Sequence, residues 1–477
     1  MLGPTAPNRN FAQLRIYLQI DAGDEQNGTD YCCRQCNADP ASGEGYETVP
    51  NPCEEGVLDR EIHHFIYEGK DPSLVRRPLQ KKISDSPWNA SRASLGRNRR
   101  TLCPVPTNSR LEKRNVMATR KMNAAVVEHF GKPLVLREWD IPTPGVGQIV
   151  VKTEACGVCH TDLHAADGDW PVKPTLPFIP GHEAVGLVSA VGAGVTIVKE
   201  GDRVGVPWLY SACGHCEYCL SAWETVCNEA QFGGYTKNGG FAEYVLADPD
   251  YVAHIPKGLA PAEAAPLICA GITTYKGIKQ TVAKPGQWIA ISGCGGLGHL
   301  GIQYAKAMGL LVCAVDIDDR KLAHAKKLGA DLVINAKHED PGAAVKKGTD
   351  GGAHGVLITA PSLIAFKQGI GMTRKRGTCV LVGLPPGEFP VPLFDVVANC
   401  ITVRGSFVGT REDMAEALDF AVKGKVKADI ELQPLSAINE IFKRLEHGDI
   451  PARVVLDYST ADQSEHHSTR AKELVHA

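Results

Sequence analysis

A strand that runs into a glycine-rich turn and then into a helix constrains the fold of this chain more than any other feature of its sequence. The apolar run 287–292 leads directly into a turn at 293–298, and residues 299–308 have the composition of a helix that ends at Gly309. In that setting, Gly-x-Gly-x-x-Gly is the pattern of a dinucleotide-binding turn, whose glycines permit the tight turn and close approach of a pyrophosphate. The helix N-terminus would supply amide donors to the phosphates. The predicted cofactor contacts here are Gly293, Gly295, Gly296, Leu297 and Gly298.

Short apolar runs alternate with helical stretches after this turn. The runs lie at 311–315, 332–335, 355–359 and 378–383, with a helical stretch at 362–372. Repeated βα units predict a parallel, doubly wound sheet. Asp316 ends the first of these runs, eighteen residues after Gly298. A carboxylate there accepts both ribose hydroxyls and repels a 2′-phosphate, which favours NAD over NADP. The basic residues Arg320 and Lys321 nearby leave NADP as the alternative.

Cysteine and histidine residues at metal-site spacings are a second constraint. Cys159 lies in a Cys-x-x-Cys-His stretch over 156–164, His182 follows about twenty residues on, and Cys269 lies later in the chain. A lone Cys-x-x-Cys would suggest a redox motif or half of a structural site. Three ligands of the type Cys, His, Cys leave the fourth position of zinc open for water or substrate, which is the arrangement of a catalytic site.

Four further cysteines form a compact group with spacings of three, three and eight: Cys213, Cys216, Cys219 and Cys227. Four thiolates complete tetrahedral zinc, so this site is predicted to be structural, and the chain to hold two zinc ions. An iron–sulfur cluster is disfavoured because no proline follows the last cysteine. His215 is predicted to be an exposed loop residue. The cysteines predicted to be buried and inert are Cys156, Cys294, Cys313, Cys379 and Cys400.

Length and composition set the outer limits. The chain has 477 residues, enough for about two to four domains, and 43% hydrophobic content is ample for buried cores. No apolar run approaches the ~18 residues that a membrane helix needs. A net charge of −3 gives no reason to expect nucleic acid as a partner. Its 16 cysteines cluster at metal-like spacings, which favours a reducing compartment over a disulfide framework.

Together these motifs make residues 122 to about 458 resemble a microbial zinc-dependent alcohol dehydrogenase of the medium-chain dehydrogenase/reductase superfamily. The resemblance covers roughly 337 of the 477 residues. It implies an α/β protein with a GroES-like, strand-rich catalytic domain over 122–272 and a Rossmann NAD-binding domain over 273–408. Residues 409–458 would return to the catalytic domain, and 459–477 would form a flexible tail. It also implies a cytoplasmic homotetramer that oxidises short-chain primary alcohols to aldehydes with NAD.

The resemblance assigns roles to single residues. It implies that Thr161 and His164 relay the hydroxyl proton, that Asp162 orients His182, and that Glu183 lies behind the metal. It implies that Trp170 and Trp208 line the substrate pocket. The further cofactor contacts that it implies are His160 at a phosphate, Lys321 at the adenosine, Val382 at the nicotinamide and Arg453 at the pyrophosphate, although Ala452 stands where a glycine is expected.

Three rival functions use parts of the same pattern. A zinc polyol dehydrogenase is disfavoured because Cys269 stands where such enzymes often carry Glu, and a zinc-free reductase is disfavoured by the complete metal set. A third rival is a binding protein in which the four-cysteine group is purely structural and the basic segment 76–121 binds nucleic acid. Two zinc ions per chain with turnover would support the enzyme, and one without turnover would support the binder.

Residues 1–121 lie outside the resemblance. Residues 1–75 carry 5 Lys/Arg against 13 Asp/Glu, whereas 76–121 carry 13 against 2. Neither part shows apolar periodicity, so a disordered extension is predicted. A small metal knuckle at Cys32, Cys33, Cys36 and Cys53 is the less favoured alternative. An over-extended gene model is another, and a chain starting at Met117 or Met122 is expected to fold and turn over. An internal start would reopen mitochondrial targeting by the Arg-rich stretch.

Overall fold

The computed structural model describes residues 120–450 and 452–459. The predicted disordered extension, the predicted knuckle at Cys32, Cys33, Cys36 and Cys53, and the predicted flexible tail fall outside these residues, apart from positions 120, 121 and 459. Within the described ranges, no helix combines the length and the apolar character that crossing a membrane requires.

The described chain alternates strands and helices throughout. The strands are β1 (Lys121–Val126), β2 (Val135–Asp140), β3 (Ile149–Val158), β4 (Ala184–Val191), β5 (Arg203–Val206), β6 (Leu209–Ser211), β7 (Gln231–Phe232), β8 (Tyr244–Ala247), β9 (Ala253–His254), β10 (Trp288–Ser292), β11 (Leu311–Asp316), β12 (Leu332–Asn335), β13 (Ala353–Ile358), β14 (Thr373–Leu381), β15 (Thr402–Gly405), β16 (Ile430–Gln433) and β17 (Arg453–Asp457). The helices are α1 (His160–Asp167), α2 (Glu217–Leu220), α3 (Pro261–Ala264), α4 (Ala270–Gln280), α5 (Gly298–Ala307), α6 (Asp319–Lys327), α7 (Pro341–Gly348), α8 (Leu363–Met372), α9 (Leu393–Ala398), α10 (Arg411–Val422) and α11 (Ile438–Glu446), with 3-10 turns at Glu224–Val226, Ala265–Ile268 and Leu435–Ala437.

The nucleotide-binding part is a parallel sheet of strand order β12-β11-β10-β13-β14-β15. Its central strand β10 is buried between neighbours on both sides, so it reads as a continuous apolar run. The order reverses on either side of β10, which opens a crevice at the carboxyl ends of the strands. Gly293 lies there with φ +96°, and a Cβ at this position would lie 2.7 Å from the backbone nitrogen of Ala360. The predicted doubly wound fold is confirmed.

The catalytic part is a mainly antiparallel sheet centred on β3. The strand order is β16-β17-β3-β4-β5-β9, with β8 also paired to β3. Cys156 on β3 lies opposite Ala184 on β4. This register brings the residue that follows β3, Cys159, beside the two residues that precede β4, His182 and Glu183. The predicted strand-rich, GroES-like domain is confirmed.

Helix α4 connects the two parts of the molecule. It begins immediately after Cys269 and packs against α5 and α10. Its buried Ile272 belongs to the same apolar cluster as Leu300 on α5 and Leu418 on α10. Because α4 is buried along most of its length, the position of Cys269 is fixed relative to both sheets.

Cys400 corrects one prediction about the cysteines. Cys156, Cys294, Cys313 and Cys379 are buried as predicted, but Cys400 is exposed. It follows α9, whose Leu393, Phe394 and Val397 side chains are themselves exposed, and has φ +52° at the turn into β15. The prediction followed the general tendency of free cysteines to be buried, but Cys400 precedes the edge strand β15, where little packs over it.

Candidate active site

Three distant segments bring metal-binding side chains together at one point. Cys159 caps the N-terminus of α1, Cys269 caps α4, and His182 and Glu183 precede β4. The donor atoms of these four residues all lie within 4.8 Å of one another. The His182 Nε2 lies 3.1 Å from the Cys269 Sγ. The four side chains are 0–6% exposed, so the set is enclosed.

Asp162 organises this set from behind. Its Oδ1 lies 2.7 Å from His182 Nδ1 and accepts from the Gly181 amide at 3.0 Å, while Oδ2 accepts from the Cys159 amide at 2.9 Å. The carboxylate is 1% exposed. Because it holds Nδ1, it leaves Nε2 of His182 directed at Cys269. One side chain therefore aligns two of the predicted ligands.

Glu183 and Arg453 form a buried pair beneath the set. The guanidinium contacts the Glu183 carboxylate, and the two residues are 5% and 0% exposed. Burial opposes the charge on Arg453, but the Glu183 carboxylate outweighs it, so the pKa of the guanidinium is raised. The carboxylate requires Gly157, because a Cβ there would lie 1.8 Å from its Oε2. Arg453 also lies beside Gly296, 3.1 Å from where a Cβ would stand, and within the described chain its Nε has no hydrogen-bond partner.

The thiols of the set are electrostatically unequal. A hydrogen bond from Cys269 holds the pKa of Cys159 well below its usual range, and His182 adds to that effect against the cost of burial. The same bond, followed by burial, raises the pKa of Cys269. Burial raises the pKa of Glu183, against the attraction of Arg453. Two sulfurs and an imidazole nitrogen within reach of one point fit zinc.

The four cysteines at 213–227 form a second group nearer the surface. The Sγ atoms of Cys213, Cys216, Cys219 and Cys227 lie within 4.8 Å of one another. Cys216 and Cys219 are 3.6 Å apart, and Cys213 and Cys219 are 3.9 Å apart. Hydrogen bonding by the backbone amide of His215 lowers the pKa of Cys213 to about 6. The His215 ring is exposed and bonds to the Cys213 carbonyl oxygen rather than joining the sulfurs. Four closely spaced thiols fit tetrahedral zinc with no open position.

A cleft of about 950 Å³ runs from the enclosed set to the glycine-rich turn. Cys159, His182 and Cys269 line one end, and Leu297 and Val382 line the other. His160, Thr161 and His164 of α1 also line this cleft. A cleft of this volume between two parts of an α/β protein is where a cofactor and substrate bind.

The glycine-rich turn is shaped to accept a ligand. A Cβ at Gly295 would meet no protein atom within 4 Å, so this side of the turn is open to a phosphate group. The Asp316 carboxylate stabilises the turn by accepting from the Cys294 amide at 2.6 Å and from the amide of Asp318 at 3.0 Å. Lys321 and Arg453 line a further cavity of about 460 Å³. These residues fit a dinucleotide.

Asp169 is a candidate that sequence reasoning missed. Its Oδ2 lies 2.8 Å from the Nδ1 of His164. Gly168 caps the C-terminus of α1 with φ +69°. This left-handed residue turns the chain back, so that Asp169 lies against the last turn of the helix. A carboxylate five residues after a histidine is a weak signal in sequence, because the contact depends on that left-handed residue.

Aromatic side chains line the cleft beside the metal-binding set. Trp170 and Trp208 lie edge to face with their ring centroids 6.2 Å apart, and Trp208 lies 5.3 Å from the His182 ring. Phe232 stacks on Trp208 at 5.1 Å, and Tyr235 lies 5.5 Å from both tryptophans. Sequence reasoning found the tryptophans but missed Phe232, which lies on the two-residue strand β7, and Tyr235 in the loop after it, because so short a stretch shows no periodicity.

Comparisons with known proteins identify the class. A family described as alcohol dehydrogenase GroES-like domain matches residues 145–257, and one described as zinc-binding dehydrogenase matches 296–423. An alcohol dehydrogenase from Moraxella sp. (strain TAE123) is 61% identical over 338 residues, which is 71% of this chain and 100% of the relative. One from Geobacillus stearothermophilus is 58% identical over 335 residues, 70% of this chain and 99% of the relative. The chain belongs to the zinc-binding alcohol dehydrogenase family, which confirms the resemblance seen in its motifs.

Solved structures agree with this membership. The alcohol dehydrogenase from Aeropyrum pernix superposes with a TM-score of 0.66 at 33% identity, over 70% of this chain and 99% of that one. An acetophenone reductase from Geotrichum candidum in complex with NAD gives 0.64 at 30% identity, over 71% and 97%. CAD from Helicobacter pylori complexed with NADP(H) gives 0.64 at 27%, over 71% and 98%. The protein is thus an alcohol oxidoreductase that uses zinc and a nicotinamide cofactor.

Proposed function

We propose that the protein is an NAD-dependent alcohol dehydrogenase acting reversibly on short-chain primary alcohols such as ethanol. The observation that carries this proposal is a single cleft lined at one end by Cys159, His182 and Cys269 and at the other by Leu297 and Val382. A metal-binding set and a dinucleotide turn that share one cleft suit hydride transfer between an alcohol carbon and a nicotinamide.

Two zinc ions per chain are proposed, one for each donor set. Cys159, His182 and Cys269 would hold the catalytic ion, with Glu183 and Asp162 behind them. The structural ion would be held by Cys213, Cys216, Cys219 and Cys227. When bound, zinc supplies Lewis acidity that favours loss of the alcohol's hydroxyl proton, and the nicotinamide supplies the hydride acceptor.

Thr161 and His164 would carry the proton out of the cleft. Both line it from α1, and they lie three residues apart on one face of the helix. Thr161 would accept the proton at its hydroxyl oxygen. Because Asp169 holds Nδ1 of His164 at 2.8 Å, the nitrogen that accepts the proton would be Nε2. The His164 side chain is 19% exposed, so it can release the proton to solvent.

NAD rather than NADP is proposed as the cofactor. Asp316 ends β11 beside the glycine-rich turn, where a carboxylate suits ribose hydroxyls and repels a 2′-phosphate. Of the two basic residues that leave NADP as the alternative, Arg320 is bonded to Asp318, since its Nη2 donates to that carboxylate at 2.8 Å, and Lys321 is assigned to the adenosine. The remaining cofactor contacts would be Gly293, Gly295, Gly296, Leu297 and Gly298 at the turn, with His160, Lys321, Val382 and Arg453.

Substrate size would be limited by Trp170 and Trp208, whose bulk near His182 leaves room for a short alcohol. A cytoplasmic homotetramer remains a prediction from the resemblance, as do the domain boundaries at 122–272, 273–408 and 409–458. Exposed apolar side chains at Leu393, Phe394 and Val397 on α9 support self-association, because monomers rarely expose such a group.

The proposal is tested by kinetics with metal analysis on the same preparation. We expect two zinc ions per chain, and a kcat/KM for ethanol that is at least about tenfold higher with NAD than with NADP, or about 1.4 kcal/mol. 1-Propanol and 1-hexanol in place of ethanol would define the chain-length limit. A preference for NADP, or for a polyol such as sorbitol over every primary alcohol, would contradict the proposal.

A further inference from the structure

Lys276 is a buried cation that the proposed chemistry does not use. It lies on α4, one turn after Thr273, which lines the cleft. The residue is 3% exposed, and in the described chain its Nζ has no hydrogen-bond partner. Buried polar groups are normally paired, so an ammonium without an acceptor indicates another compensating interaction.

The compensating group is the ring of Trp223. The Lys276 Nζ lies over this ring, 4.6 Å from its centroid. An ammonium over an indole face is attracted by the ring quadrupole, most strongly where water is excluded. Burial lowers the pKa of Lys276, and the carboxylates of Asp413 and Glu224 counter that fall. Both carboxylates are bonded to other cations, Asp413 to Lys279 and Glu224 to Arg411.

Trp223 connects this cation to the substrate cleft. Trp223, Thr225 and Val226 all line the cleft, and they come from one short segment immediately before Cys227. This segment belongs to the loop that carries the four cysteines. The Trp223 amide donates to the Tyr218 carbonyl at 2.7 Å, which ties the segment to the rest of that loop. The wall that this group contributes to the cleft is therefore anchored at Lys276.

We propose that Lys276 is a positioning residue for substrate selection, which acts by holding the Trp223 ring and with it this wall of the cleft. The same helix begins at Cys269, so one rigid element sets the distance between the wall and the reaction centre. On this proposal a long alcohol contacts the wall, whereas ethanol is too short to do so. The inference rests on the proposed function and extends it to a residue outside the cleft.

The test compares Lys276→Met with the parent on ethanol and 1-hexanol. Methionine keeps the length and apolar character of the side chain but removes the charge. We expect KM for 1-hexanol to rise about tenfold while its kcat changes less than about twofold, because loosening the wall removes binding and not chemistry. The Kd for NADH, measured by fluorescence titration, should remain at the parental value.

Lys279→Met is the matched control. Lys279 lies on the same helix and is bonded to Asp413 at 3.0 Å and Glu416 at 2.6 Å. It lies over the ring of Tyr275, which is not among the residues of the cleft. This variant should lower Tm but leave the ratio of kcat/KM for 1-hexanol to ethanol unchanged. An equal shift of that ratio in both variants would overturn the proposal.

A double-mutant cycle with Trp223→Leu tests the route of the effect. If Lys276 acts through the ring, the double variant should match Trp223→Leu in its alcohol ratio, whereas independent effects would add and overturn the proposal. Lys276→Arg retains a cation over the ring and should keep the parental ratio. If Lys276→Met does not fold, Lys276→Arg and Trp223→Leu still test the proposal. An unchanged ratio of kcat/KM for 1-hexanol to ethanol in Trp223→Leu would overturn it. A parent that oxidises no alcohol with NAD would instead refute the proposed function itself.

Discussion

The protein has two clusters of metal-binding side chains, the catalytic set around Cys159, His182 and Cys269 and the four-cysteine group at 213–227. The two clusters differ in what holds their side chains in place. The four cysteines come from fifteen consecutive positions, 213–227, and three of them are half-buried around a small apolar cluster. The catalytic set spans residues 159–269 and is 0–6% exposed inside the main core. Contacts within the protein hold Cys159 and His182 in place, through the Asp162 carboxylate and the register of β3 with β4. The four-cysteine group lies in one loop around a small apolar cluster, so its shape is expected to depend on the zinc ion proposed for it.

Replacing a catalytic ligand should therefore remove activity and leave the fold intact. Cys159→Ser is expected to lower kcat/KM for ethanol by at least about 10³-fold, or about 4 kcal/mol, because the Lewis acid is lost or misplaced. Tm should change by no more than a few degrees. Steady-state kinetics, thermal unfolding and the Kd for NADH measure the three quantities.

Cys400→Ser is the matched control for this change, since Cys400 is an exposed cysteine outside both groups. It should keep parental activity and Tm. Retention of more than a tenth of the activity in Cys159→Ser would remove Cys159 from the metal site. If Cys159→Ser lost NADH binding as well as activity, the catalytic set would be needed for the fold and not only for the reaction.

Replacing a ligand of the four-cysteine group should have the opposite result. Cys213→Ser is expected to lower Tm by roughly 5–10 °C, because metal-binding energy in such a group is folding energy. Zinc content should fall by one ion per chain. Activity at a temperature well below the new Tm should fall less than in Cys159→Ser. A Tm equal to that of the parent would show that the group does not need its ion.

The same difference explains how much the sequence could predict. The glycine-rich turn, the strand–helix alternation and the four-cysteine spacing are local patterns, so the fold and the four-cysteine group could be predicted from them. The set of Cys159, His182 and Cys269 spans 110 positions, and its prediction depended on the resemblance of the surrounding motifs to a known family. The pairing of Glu183 with Arg453 joins residues 270 positions apart, and no local pattern indicates it. The contact of Asp169 with His164 depends on the reversal at Gly168, and Phe232 lies on β7, a strand too short to show a pattern. Cys400 was predicted to be buried because free cysteines usually are, but it lies exposed beside the edge strand β15.

The glycine-rich turn, like the catalytic set, is held by a contact from another segment, since the Asp316 carboxylate accepts from the Cys294 amide. Asp316→Gly tests what that carboxylate contributes to cofactor choice. We expect the ratio of kcat/KM with NAD to that with NADP to fall by roughly 10–100-fold, or about 1.4–2.8 kcal/mol. Loss of the bond to the Cys294 amide should also weaken both cofactors, so the ratio isolates the repulsion of a 2′-phosphate. Asp319→Asn, a neighbouring exposed carboxylate that accepts from the Asn335 side-chain amide, is the control and should leave the ratio within about twofold of the parental value. An unchanged ratio in Asp316→Gly would exclude Asp316 from cofactor choice.

The smallest expected effect concerns Trp208, which stands between the catalytic set and the four-cysteine group. It lies 5.3 Å from His182 and stacks on Phe232, which packs against the apolar cluster of the four cysteines. Trp208 lines the main cleft of about 950 Å³ and also a second cavity of about 370 Å³ behind it. Trp208→Ala should join these spaces and admit longer or secondary alcohols.

We expect the ratio of kcat/KM for 1-hexanol to that for ethanol to rise about tenfold in Trp208→Ala, or about 1.4 kcal/mol, since additional methylenes gain apolar contacts. Trp208→Phe keeps an aromatic partner for Phe232 and should shift the ratio less. Trp139→Ala, which removes a half-buried tryptophan far from both cavities, should not shift it. If the ratio is unchanged in Trp208→Ala and only Tm falls, Trp208 is a core residue and does not limit substrate size. Its position between the catalytic set and the four-cysteine group would then have no effect on selectivity.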